Sequence, residues 1–183
     1  MAINDFLTAC IREWSHKNYS VAMSCVCNAV DATAKKEYGT TKNKQRCLKF
    51  LNKYLDIITG VGFGGAILVS PGSTLRILNP LDPNKTENVT DIIYESLRCY
   101  LTHETSLPPN VEFTDRSFYG RVNNAFQIPT RLIAALFLAV VASPVNADIS
   151  IAESCQLILD GKVVPINSLA GDALKVRQYL SLP

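Results

Sequence analysis

The apolar run LIAALFLAVVA (132–142) constrains the fold of this chain more than any other stretch. It contains no polar side chain, so a helix formed from it is apolar on every side and has to be buried. Because a membrane-spanning helix needs about 20 apolar residues, this run is too short to cross a bilayer. Pro129 is expected to open the helix at a position that tolerates proline, and Pro144 to close it. We therefore predict a buried helix in the core.

Four other segments repeat their apolar residues at intervals of three and four, which is the pattern of an amphipathic helix. Ser20 is expected to cap the second of these helices and Gly39 to end it, while Asn88 or Thr90 caps the fourth. With the buried helix, they predict a mainly α protein in which residues 1–148 form one helical bundle. The four segments cover about residues 3–14, 20–38, 43–59 and 90–103.

Two regions depart from the helical pattern and are expected to form small β accessories. The first has glycines and prolines around two short β-favouring runs, AILV (66–69) and LRIL (75–78). Its cluster GVGFGG (60–65) lacks the lysine of a phosphate-binding loop, so it favours a loop or an irregular hairpin. In the second region Asp160-Gly161 separates two apolar runs, which is a strong hairpin signal. We predict that residues 149–183 form a β-hairpin and a short helix packed on the bundle.

The cysteines and the charge narrow the possible functions. Six cysteines are scattered along the chain, and Cys25 and Cys27 are too close together for a zinc knuckle. We therefore expect free thiols in a reducing cytoplasm, and neither a metal nor another cofactor. The first residues, MAINDFLTACIREW, do not have the pattern of a signal peptide. The formal net charge of +2 is close to neutral, so a nucleic acid would have to bind a local patch.

The fourth helical segment carries an arginine, Arg98, five positions before a histidine, His103. At about 100° per residue, Ile93, Leu97 and Leu101 define the side of this helix that faces the core. Arg98 and His103 border the polar arc on the other side, about 140° apart. They would converge with their counterparts if this arc packed against its own copy across a two-fold axis. Three further side chains lie on the arc between them: Glu95, Cys99 and Thr102.

These residues resemble the HEPN superfamily, whose motif is an arginine and a histidine separated by four to six residues. Arg98-x4-His103 has this spacing on a late helix of the bundle. Three segments are also similar to prokaryotic members: NAVDATAKKEYG (28–39), RCLKFLNKYLDII (46–58) and IIYESLRCYLTHE (92–104). The resemblance covers about residues 20–143 and leaves the C-terminal hairpin and helix outside.

The resemblance implies a HEPN-like helical bundle that cleaves RNA without a metal, in a cleft between two protomers. His103 would transfer protons at the ribose 2′-hydroxyl, and Arg98 would bind the scissile phosphate. The product would carry a 2′,3′-cyclic phosphate. Such a protein would act as a toxin or defence effector, with an antitoxin or another regulator as its partner. Cys99 departs from the family, which often has asparagine or aspartate directly after the arginine.

Two interpretations of the chain stay open at this point. In the first it is a homodimeric ribonuclease, with Arg98 and His103 as catalytic residues. In the second it is a catalytically silent HEPN-like module that dimerises or binds a partner. Asp31, beside the apolar stripe of the second helix, also has two interpretations. It is either a surface or helix-pairing carboxylate, or the partner that orients an arginine.

Overall fold

The computed structural model of the chain describes residues 2–39, 42–65, 69, 73–82, 84–104 and 106–182, with the side chains of 102 and 103 left out. The described part is mainly α, as the sequence predicts. The helices are α1 (Ile3–Ser15), α2 (Tyr19–Tyr38), α3 (Asn43–Lys53), α4 (Leu55–Gly62), α5 (Val89–Ile92), a π-helix (Ile93–Cys99), α6 (Tyr100–His103), α7 (Arg131–Ala142), a 3₁₀ turn (Pro144–Asn146), α8 (Ile166–Leu169) and α9 (Ala173–Tyr179).

Helices α1 and α2 pack against each other. The prediction that Ser20 caps α2 is wrong, because the helix begins at Tyr19 with Asn18 in the capping position. The prediction for the other end is confirmed, since Gly39 follows the helix with a positive φ of 69°. Asn88 occupies the capping position of α5, as one of the two alternatives predicted.

The third predicted helix is broken in two at Tyr54, whose backbone leaves the helical region with φ −109° and ψ 22°. The helix breaks here because its surroundings change along the chain. Helix α3 is amphipathic and half exposed, whereas every residue of α4 is buried. The chain therefore turns at Tyr54 to enter the core.

Helix α7 is the centre of the core, and the prediction of a buried helix there is confirmed. Its residues from Leu132 to Ala142 are all buried, and it packs against α4, α2 and α9. Residues 60–62 of GVGFGG belong to α4 rather than to a loop, and Gly62 lies against α7. A Cβ atom at Gly62 would lie 3.1 Å from Leu132 Cδ1, so an alanine there would require the Leu132 side chain to shift by a few tenths of an ångström.

In the described part of the chain, the strands form three small sheets. The hairpin of β1 and β2 includes most of the LRIL run, whereas residues 66–68 of AILV lie outside the described part. In the second sheet β5 is central, parallel to β3 and antiparallel to β4. Pro129 is the last residue of β5 and does not open α7, which begins at Arg131. The strands are β1 (Arg76–Leu78), β2 (Thr86–Asn88), β3 (Val111–Thr114), β4 (Gly120–Val122), β5 (Ala125–Pro129), β6 (Ile158–Leu159) and β7 (Lys162–Val163).

The C-terminal hairpin turns where the sequence predicts. Asp160 and Gly161 join β6 to β7 with φ values of 52° and 74°, which is the backbone of a tight hairpin turn. Helices α8 and α9 follow the hairpin. The buried apolar residues of this segment, including Leu169 and Val176, belong to one continuous core with the bundle. The division of the chain at residue 148 stays a prediction.

Candidate functional site

The helix that carries the Arg98-x4-His103 motif is widened over seven residues into a π-helix, Ile93–Cys99. Such helices bond each residue to the fifth one along and are frequently found at functional sites. They account for well under 1% of residues in globular proteins. The angles that we derived from α-helical geometry therefore do not hold across this segment.

Arg98 points at helix α2, where it pairs with Asp31. Its Nε donates a hydrogen bond of 3.0 Å to Asp31 Oδ2, and Nη2 donates to the same oxygen. The two side chains are only 16% and 17% exposed. Arg98 also stacks on the ring of Tyr94, with its guanidinium carbon 5.3 Å from the ring centroid. The arginine is thus fixed from two sides, by a carboxylate on another helix and by an aromatic ring on its own.

Two thiols also lie beside this ion pair. The Cys47 thiol, from helix α3, donates to Asp31 Oδ1. The Cys99 sulfur lies 3.9 Å from Arg98 Nη1. Burial, together with the hydrogen bond to Asp31, raises the pKa of the Cys47 thiol. That thiol therefore stays protonated near neutral pH, where it serves as a hydrogen-bond donor rather than a nucleophile.

The ion pair keeps its charges but presents little net charge to a ligand. Burial lowers the pKa of Arg98, but the hydrogen bond to Asp31 and the attraction of its carboxylate act together against burial, and the pKa is raised overall. Arg98 is therefore a permanent cation whose charge is balanced by the carboxylate beside it. The cavity between Arg98, Asp31, Tyr94 and Cys27 measures about 10 Å³. This volume is about the smallest that holds one water molecule.

The structure brings only part of the predicted site together. Arg98, Cys99 and Asp31 are in contact, whereas Glu95 forms an exposed ion pair with Lys44. His103 is the last residue of α6, and the side chains of His103 and Thr102 lie outside the described part. Among the described residues, no group of three or more His, Cys, Asp or Glu side chains is placed to hold a metal ion.

Sequence reasoning missed two residues of this site, Tyr94 and Cys47. Tyr94 precedes Arg98 by four residues on one helix, and this spacing places two side chains next to each other. The contact between Tyr94 and Arg98 could therefore have been predicted from their spacing in the sequence. Cys47 gave no such signal, because its position in the apolar stripe of α3 is typical of a buried cysteine. Only the packing of α3 against α2 brings its thiol to Asp31.

Fold and site together define a mainly α protein in which a part-buried arginine–aspartate pair joins a π-helical segment to helix α2. The chain belongs to the Rv1289 family, whose model matches residues 2–182. It is 27% identical over 151 residues to the uncharacterized proteins Rv1289 and MT1327 of Mycobacterium tuberculosis and Mb1320 of Mycobacterium bovis. Each match covers 80% of this chain and 72% of the relative. No solved structure matches the chain significantly.

Within the described residues, none of the helices has the length and apolar character needed to cross a membrane.

Proposed function

We propose that this chain is a metal-independent endoribonuclease of the HEPN type, active as a homodimer. Arg98 and His103 of both protomers would line one cleft, in which RNA is cleaved to 2′,3′-cyclic phosphate ends. The observation that supports this function is the fixed Arg98, held by Asp31 and Tyr94 on the helix that also carries His103. Its place of action would be the cytoplasm, as a toxin or defence effector with an antitoxin or another regulator as partner.

In this mechanism Asp31 is a positioning residue. It accepts two hydrogen bonds from Arg98, from Nε and Nη2, and so fixes the plane of the guanidinium. A fixed planar fork binds phosphate with less loss of entropy than a free side chain. His103 would then move the proton of the ribose 2′-hydroxyl. The π-helix favours this interpretation, because such segments are frequently found at functional sites.

The test is to incubate purified protein with mixed RNA in EDTA and to analyse the product ends. We expect cleavage with 2′,3′-cyclic phosphate ends, and a loss of about 10²- to 10⁴-fold in rate for His103→Ala. Arg98→Lys should also be impaired, since lysine lacks the planar fork. The matched control is His16→Ala, because His16 is exposed and lies far from the motif helix in sequence. Cleavage that requires a divalent metal, or that survives both motif substitutions, contradicts the proposal.

One observation favours a second candidate, a catalytically silent HEPN-like module that dimerises or binds a partner. Asp31 balances the charge of Arg98, and the cavity beside the pair is too small for a phosphate group. Arg98 would then serve to join the motif helix to α2. For this candidate we expect no cleavage by the wild-type chain and a lower melting temperature for Arg98→Met. Sedimentation of the wild-type chain would show whether it forms dimers.

A further inference from the structure

A larger cavity, of about 430 Å³, lies on another part of the motif helix and shares no lining residue with the Arg98 site. Tyr100, in helix α6, forms one wall of this cavity. The opposite side comes from the second sheet, with Arg121 on β4, Phe126 on β5 and Asn124 in the turn between them. Asn110, just before β3, also lines it. Cavities of this size hold small organic ligands in many proteins.

The charge of the cavity comes from Arg121. Three other arginines are each paired with an aspartate: Arg98 with Asp31, Arg131 with Asp160, and Arg177 with Asp56. Arg121, in contrast, forms no ion pair within the described part of the chain, where its Nε donates to the Asn123 carbonyl at 3.2 Å. This bond leaves both terminal nitrogens of the guanidinium available to a ligand. No carboxylate of the described residues lines the cavity, so its charge favours an anion.

The other lining groups suit a flat polar ring. Tyr100 is partly exposed and gives an aromatic face, and Pro80 and Pro109 add rigid apolar surface. The side-chain amides of Asn110 and Asn124 are exposed and make no hydrogen bond to the described residues. An amide offers both a donor and an acceptor, as does the edge of a nucleobase. Base stacking on an aromatic side chain contributes further to binding.

We propose that this cavity binds a nucleotide, with the phosphate on Arg121, the base against Tyr100 and the base edge on the two asparagine amides. The nucleotide could come from an RNA strand or be a free mononucleotide, since both offer the same base and phosphate. The first source rests on the proposed ribonuclease function, because Tyr100 precedes His103 by three residues on α6. The cavity would then hold a nucleotide of the substrate close to the catalytic histidine.

The test uses full-length His103→Ala protein, so that binding is measured without cleavage. Binding of a fluorescein-labelled RNA hexamer is followed by fluorescence anisotropy, and AMP, ribose 5-phosphate and inorganic phosphate are added as competitors. We expect Arg121→Gln to weaken binding by about 10- to 100-fold, the value of a hydrogen bond to a charged group. Asn124→Ala should weaken it by a smaller factor. The matched control is Arg116→Gln, because Arg116 is also exposed and does not line the cavity.

Each outcome decides between the alternatives. Displacement of the hexamer by AMP, but not by ribose 5-phosphate or phosphate, identifies a free nucleotide as the ligand. Arg121-dependent binding of the hexamer that AMP does not displace identifies the RNA strand as the ligand. Equal affinities for Arg121→Gln and Arg116→Gln overturn the proposal, and so does equal competition by AMP and phosphate. Arg121-dependent binding without any cleavage by the wild-type chain supports the cavity and refutes the ribonuclease. His103-dependent cleavage with an unchanged KM in Arg121→Gln supports the ribonuclease and refutes nucleotide binding in the cavity.

Discussion

Arg177 and Asp56 join the C-terminal helix α9 to helix α4, and replacing Arg177 with methionine tests how much this ion pair stabilises the fold. The guanidinium donates from Nε to Asp56 Oδ2 at 2.5 Å and from Nη2 to Oδ1 at 3.1 Å. The hydrogen bond to Asp56 raises the pKa of Arg177. The Asp56 side chain is 6% exposed and that of Arg177 22%. Methionine keeps much of the apolar stem but leaves the carboxylate buried without its partner.

The size of the effect follows from this burial. Removing one partner of a fully buried ion pair costs about 3–5 kcal/mol. Because solvent reaches part of the guanidinium, we reduce this to about 2–3 kcal/mol of unfolding free energy. In a chain of this size, each kcal/mol shifts the melting temperature by about 2–4 °C. The expected decrease for Arg177→Met is therefore about 4–12 °C.

The assay is urea unfolding followed by circular dichroism at 222 nm, for Arg177→Met, Asp56→Asn and the double variant. The double variant should be more stable than the sum of the single losses predicts, with a coupling of about 1–3 kcal/mol. The control is Lys175→Met on the same helix, whose ion pair with Asp172 is exposed and should contribute less than about 1 kcal/mol. If Arg177→Met and Lys175→Met are equally stable, apolar contacts alone hold α9 and the reasoning is refuted.

Three further predictions concern the turns and the thiols. The hydrogen bond from Arg131 lowers the pKa of Asp160, so Asp160→Asn should lose up to about 1 kcal/mol at pH 7. This loss should vanish as the pH falls through the lowered pKa, below about 4, which denaturation at pH 7 and pH 2 would show. Gly171→Ala should cost about 3 kcal/mol and Gly161→Ala about 1–2 kcal/mol in urea unfolding. Both glycines have positive φ, but only at Gly171 would the Cβ lie within 2.6 Å of a neighbouring backbone atom. Iodoacetamide at pH 8 should modify partly exposed Cys155 before Cys27 in peptide mass spectra, because burial raises the pKa of Cys27 to about 12; early modification of Cys27 would contradict its burial.

Local signals in the sequence were sufficient to predict the structure of segments whose conformation depends on their own residues. The side chains of the apolar run 132–142 avoid water only if the helix is buried, and α7 is buried as predicted. Asp160-Gly161 adopts the positive φ values that its residue types favour. Gly39 ends α2 for the same reason. In each case the residues themselves determine the conformation.

The sequence was not sufficient to predict features that depend on packing between distant segments. The break at Tyr54 depends on α4 entering a core built by α7, so the continuous apolar pattern of 43–59 concealed it. The partner of Arg98 is 67 residues away on α2, and only the tertiary fold brings the two together. In the sequence, Asp31 could be either a surface or helix-pairing carboxylate or the partner that orients an arginine, and its position beside an apolar stripe could not distinguish the two. Nothing in the sequence indicated the cavity around Arg121, which is formed by four separate stretches.

The π-helix of Ile93–Cys99 also affects how sequences of related chains should be aligned. A π-helix holds roughly one more residue per turn than an α-helix. A relative in which this helix is α-helical throughout would present equivalent side chains with one residue fewer between 93 and 99. The number of residues between an upstream core position such as Ile92 and Arg98 would then differ between two proteins with the same site. An alignment that forbids a gap inside this helix would shift the motif by one position, and a search for Arg98 and His103 equivalents should allow that gap.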